Sequence, residues 1–179
     1  MKDIYQIIEN HFERNYFYNS GSIKTEENIQ HLIENFERAH PNLSNRLMSD
    51  LKSNFPEVKV EHWTQFFNHD RCIRYLIEID EVQRFICQVS IFGYFSIYQH
   101  AYHLKDGRHV YDNVKFMDKG DSKICDRVYE SICGPSFAPI WLERNVLKYV
   151  VPEFSLNTCN ELYSYEISVA DILFTNHYL

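Results

Sequence analysis

The chain has 179 residues, 45% of them apolar, and its 18 basic and 25 acidic side chains give a formal net charge of −7. That length suits a single globular domain spanning residues 1–179, and the apolar fraction is enough for a core without disulfide or metal staples. The acidity is spread along the chain and forms no basic stripe to neutralise phosphates, which argues against nucleic acid as a direct ligand.

Helices are predicted first. Between Asp3 and Tyr18, the residues Ile4, Ile7, Ile8 and Phe12 follow helical spacing, with Glu9 and Glu13 on the other side. Thr25 reads as an N-cap, with Glu26 and Glu27 in the first turn where the helix dipole favours anions. Ile29, Leu32, Ile33 and Phe36 form the apolar stripe, and Pro41 ends it. Leu43, Leu47 and Leu51 mark a shorter helix before Phe55-Pro56.

The period then changes to two. Val58, Val60 and Phe66 open the strands, and Asn68-His69-Asp70 reads as a turn. Ile73, Tyr75, Ile77 and Ile79 share one face of the next strand, which ends at Asp80-Glu81. Phe85, Cys87, Val89 and Ile91 follow, and Gly93 marks a tight turn or bulge. A strand from Tyr94 to His103 leads to Asp106-Gly107, a hairpin signal before Val110 to Phe116. Such close connections predict antiparallel pairing. Ile124, Val128 and Ile132 define a later helix closed by Gly134-Pro135. A short helix near Trp141-Leu142, a strand from Val146 to Val151 cut off at Pro152, and a strand from Ile167 to Phe174 complete the reading. The fold class is therefore α+β: N-terminal helices, a central antiparallel meander, then a C-terminal helix and strands.

Catalytic and metal motifs are not found in the sequence. His100 and His103 differ by an odd number, so on one strand they point to opposite faces. Cys87 falls in the apolar register and reads as a buried, inert thiol; Cys125 and Cys133 read as helix packing residues. The five cysteines form no Cys-x-x-Cys pair, so neither a zinc site nor a disulfide framework is expected. The acidic pairs Asp80-Glu81 and Glu26-Glu27 sit where solvated carboxylates belong, at a turn and a helix start. The five glycines are too scattered for a phosphate loop. No catalytic residue, metal ligand or cofactor is assigned. The N-terminus lacks an apolar signal core and no run reaches the length of a membrane span, so the expectation is a cytoplasmic protein without membrane contact.

Two stretches resemble immunity proteins of bacterial polymorphic and type VI secretion toxin systems. One is Val89-Ser90-Ile91-Phe92-Gly93-Tyr94-Phe95-Ser96-Ile97-Tyr98. The other comprises Tyr149-Val150-Val151-Pro152 together with Val169-Ala170-Asp171-Ile172-Leu173-Phe174-Thr175-Asn176. The resemblance implies a cytosolic antagonist that binds a cognate protein toxin and carries over no specific site residue. The alternatives are an adaptor of another kind, a small-ligand-binding domain, or an enzyme without a recognised motif. Aromatic enrichment, with 13 Tyr, 13 Phe and 2 Trp, suits both strands and protein interfaces. Strand parity places Glu61, Trp63, Arg74 and Glu78 on the face opposite Tyr75, and Tyr98 and Tyr102 are added to it as a contact surface for a basic toxin.

Overall fold

The computed structural model describes residues 2–12, 23–64, 70–80, 83–99, 102–105, 108–111, 114–157 and 164–174. Three helices open it: α1 (Lys2–His11), α2 (Ile23–Ala39) and α3 (Leu43–Asn54). Each buries most of the stripe that its spacing predicts: Ile4 and Ile8 on α1, Ile29, Ile33 and Phe36 on α2, and Leu43, Leu47 and Leu51 on α3, while Ile7, Phe12 and Leu32 are half-buried. Helix α1 ends at His11, and residues 13–18 of the segment read as helical lie outside the described residues. One boundary differs from expectation: α2 starts at Ile23, so Thr25 lies within it and not at its N-cap position. Asn42, before α3, takes the left-handed conformation at φ 61°, which a short amide side chain tolerates better than most.

The strands follow in order: β1 (Lys59–His62), β2 (Cys72–Glu78), β3 (Arg84–Ser90), β4 (Tyr94–Gln99), β5 (Tyr102–Lys105), β6 (Arg108–Tyr111) and β7 (Lys115–Phe116). Five of them form the sheet β1-β2-β3-β4-β7, every neighbouring pair antiparallel. Strands β5 and β6 pair separately, with Lys105 opposite Arg108, as the hairpin signal predicts; Asp106-Gly107 itself lies outside the described residues. The predicted strand from Tyr94 to His103 is thus two strands in different sheets, and His100 lies outside the described residues. The turn proposed at Asn68-His69-Asp70 lies outside them too, except for Asp70, which is fully buried.

Gly93 closes the β3–β4 hairpin. Its N–H donates to the Ser90 carbonyl at 3.0 Å, and its φ of +80° lies in the region that side chains disfavour. A Cβ there would meet nothing within 4 Å, so any substitution cost lies in the backbone alone. Gly93→Val is expected to lower stability by about 1–3 kcal/mol in urea denaturation. The exposed position Glu130 is the control: Glu130→Ala should leave the midpoint unchanged. Equal midpoints for the two variants would contradict the strain argument. Ser96, which looks solvent-facing in sequence, cannot serve as that control: it is fully buried, and its Oγ donates to Gln88 Oε1 at 3.0 Å.

Helix α4 (Lys123–Ile132) buries Cys125, Val128 and Ile132. Beyond it the structure departs from the sequence reading at three places. Ile140–Trp141 is not helical but forms β8, which pairs in parallel with the start of β4, on the edge whose far end holds β7. The segment read as a strand from Val146 contains the end of a short helix, α5 (Arg144–Leu147), and the strand β9 (Val150–Asn157) runs through Pro152. Pro152 is tolerated because its pairing with β10 (Ser164–Ser168) is irregular there: Val150 faces Ser168, while Ser155 faces Glu166. The run from Ile167 to Phe174 splits at Ser168 into β10 and α6 (Val169–Leu173). Ser168 and Asp171 make a capping box there, with the Ser168 N–H donating to Asp171 Oδ2 at 2.8 Å and the Asp171 N–H to Ser168 Oγ at 3.3 Å.

Helices cover both faces of the sheet. On one face, α3, α4 and Phe36 pack over Ile73, Tyr75, Ile77, Phe85, Cys87, Val89, Phe95 and Ile97. On the other, Ile4 and Ile8 of α1, Leu147 of α5 and most of α6 pack over Cys72, Leu76, Ile86, Tyr94 and Tyr98. Helices and an antiparallel-dominated sheet make this an α+β fold arranged in three layers.

Candidate partner-binding site

The predicted face is a real face of the sheet, because register aligns Glu61 with Leu76, Leu76 with Ile86, and Ile86 with Tyr98. Its exposure is not as expected. Arg74 and Tyr98 are only 9% exposed, since α1, α5 and α6 cover the middle of the face. Arg74 is held internally: its guanidinium donates to Asp70 Oδ1 at 2.7 Å. Burial pushes the Tyr98 hydroxyl well above its usual range. Tyr102 starts β5, outside the main sheet, and its side chain lies outside the described residues. The six residues therefore do not form one contact surface.

Glu61, Trp63 and Glu78 line one row along β1, with Trp63 and Glu78 at its two ends. Trp63 is 37% exposed, and its indole N–H donates to Glu61 Oε2 at 3.2 Å. Lys59 Nζ stands 2.6 Å from Glu61 and 3.4 Å from Glu78, and Arg84 pairs with Glu78 at 2.5 Å. Hydrogen bonds from Lys59, then Trp63, hold the Glu61 carboxyl below its usual range, and Glu61 and Glu78 raise Lys59 in turn. Two carboxylates thus face two cations, and the row is locally near neutral.

Sequence reading missed a second arrangement, at the junction of α3 with β1 and β2. Tyr75 OH donates to the Ser44 carbonyl at 2.6 Å, and Ser44 Oγ lies 3.1 Å from Tyr75 OH and 2.9 Å from His62 Nε2. Beside it opens a groove of about 220 Å³ lined by Phe36, Glu37, His40, Asn42, Leu43 and Ser44. Burial lowers the His62 pKa, which favours the neutral ring. With the Tyr75 proton committed to a carbonyl, the chain of hydroxyls and imidazole acts as a strut that fixes α3 to the sheet. A signal existed in the sequence: a tyrosine in the core register needs a partner for its hydroxyl.

Cys87 and Cys125 agree with their sequence reading, whereas Cys133 follows the last residue of α4 and is only half-buried. Cys72, Cys87 and Cys125 are buried, and burial pushes Cys72 up to about 12 and Cys125 up to about 11, with Cys87 raised too. Among the described residues, no group of three or more His, Cys, Asp or Glu could hold a metal ion, and no helix is long and apolar enough to cross a membrane. Comparison with known proteins returned no matching family model, curated protein or solved structure.

Proposed function

We propose that this protein is a cytoplasmic immunity protein that binds one cognate bacterial toxin and neutralises it by occlusion. The observation that carries the reading is Trp63: an exposed aromatic just past the end of β1, its indole N–H bonded to Glu61, from which a row of charges runs through Lys59 and Glu78 to Arg84. A large exposed aromatic beside a row of charged side chains has the make-up of an interface anchor. Occlusion needs a complementary surface and no reacting group. The overall acidity favours encounter with a basic toxin. The two segments that resemble immunity proteins add support from sequence: one is the β3–β4 hairpin, and the other joins the start of β9 to α6.

The test is co-expression with the toxin domain encoded beside it. Growth should be restored, and the two proteins should co-purify in fixed stoichiometry. Trp63→Ala should raise the off-rate and cost about 2 kcal/mol or more of binding energy. Glu61→Lys with Glu78→Lys should slow association, less so at high salt. Both variants must first match the parent in thermal melting, since these carboxylates also hold Lys59 and Arg84. Protection without a complex, or a chemically altered toxin, would overturn occlusion in favour of an enzyme. Unimpaired binding by all variants would move the contact surface elsewhere.

A further inference from the structure

We propose that β1 is a self-complementary edge through which two copies of this chain pair, antiparallel, into one continuous sheet. Strand β1 ends the sheet, with β2 as its sole neighbour among the described strands. The Trp63 N–H donates to the Arg74 carbonyl at 2.8 Å, and in the same register Glu61 faces Leu76 and Lys59 faces Glu78. Odd-numbered residues of β1 therefore turn their backbone groups inward to β2. Val60 and His62 turn theirs outward, where a further strand can bond them.

Charge selects the occupant and the register. Lys59 and Glu61 stand on one face, separated by one residue, with opposite charges. In an antiparallel pair centred on Val60, the two Val60 residues exchange backbone hydrogen bonds. Lys59 of each copy then faces Glu61 of the other, in the close, non-hydrogen-bonded positions. Centring on Glu61 instead sets that carboxylate against its own copy, which is unfavourable. The sequence Lys59-Val60-Glu61 is thus its own complement in one register. So short an edge makes a weak dimer, formed as concentration rises. The pairing is independent of any toxin.

Sedimentation velocity of the full chain, from micromolar to millimolar concentration, provides the test. The parent should shift from monomer to dimer. Glu61→Lys and Lys59→Glu should each weaken dimerisation about tenfold, through two like-charge pairs. Lys59→Glu combined with Glu61→Lys should restore it, and mixing the two single variants should give a heterodimer by native mass spectrometry. Val60→Pro should abolish pairing while sparing the β1–β2 ladder, because the lost N–H faces outward. Circular dichroism melts establish that each variant is folded, and the mixing experiment needs only the two single variants. A parent that stays monomeric throughout, or a dimer indifferent to both charge reversals and to Val60→Pro, overturns the proposal.

Discussion

Asp70→Ala should destabilise the protein by about 3–5 kcal/mol, the loss expected when one partner of a buried ion pair is removed. Asp70 is fully buried, its carboxylate accepts from the Arg74 guanidinium at 2.7 Å, and Arg74 lies under α1 and α6 beside Tyr98. Removing the carboxylate leaves a guanidinium in a site with little water to solvate it. Arg74→Met alone should also be damaging, because it removes the guanidinium from which buried Asp70 Oδ1 accepts. The double variant Asp70→Ala with Arg74→Met should lose clearly less than the two single losses added together. Urea midpoints and slopes for the three variants form the cycle. Additive losses would mean that the pair is not the source of the effect. The outcome also bears on function: a stability role for Arg74 explains its place in the register without giving it a partner.

Arg71→Leu is the second large effect, at about 3 kcal/mol, because two hydrogen bonds from a charged donor are lost together. Arg71 is 3% exposed and reaches the last turn of α6, with Nε donating to the Ile172 carbonyl at 2.5 Å and a terminal nitrogen donating to the Asp171 carbonyl. Its own N–H donates to the Phe174 carbonyl at 2.8 Å, and Ser90 Oγ donates to the Leu173 carbonyl at 2.7 Å. A cation at a helix C-terminus also meets the negative end of the dipole. A helix of five residues has little stability of its own, so these contacts hold it on the sheet. Hydrogen exchange should therefore show α6 losing protection in Arg71→Leu before the β2–β3 core does. Arg71→Lys should fall between, since an ammonium cannot span both carbonyls with the geometry of a guanidinium. Uniform loss of protection across the chain would contradict a local latch.

Periodicity in the sequence alone determined which residues share a face. Most of each stripe on α1, α2, α3 and α4 is buried, the β2 and β3 residues share faces as their alternation predicts, and Gly93 sits where the chain must turn. It even placed Glu61, Trp63, Arg74, Glu78 and Tyr98 on one side of the sheet. What lies over a face is a different matter, because period two says nothing of layers stacked from distant parts of the chain. Helices from both ends of the chain meet on that side, burying Arg74, Tyr98 and Ser96, while Lys59, Glu61 and Trp63 along β1 keep contact with solvent. Short elements behaved likewise. Ile140–Trp141 is a strand because the edge of β4 offers it hydrogen bonds, with Leu142 N–H donating to the Phe95 carbonyl at 2.9 Å. The apolar run from Ile167 to Phe174 bends into a helix because Ser168 and Asp171 cap it and Arg71 closes its far end. The capping box was legible in the sequence. The arginine that meets it from a hundred residues away became visible only in the folded chain.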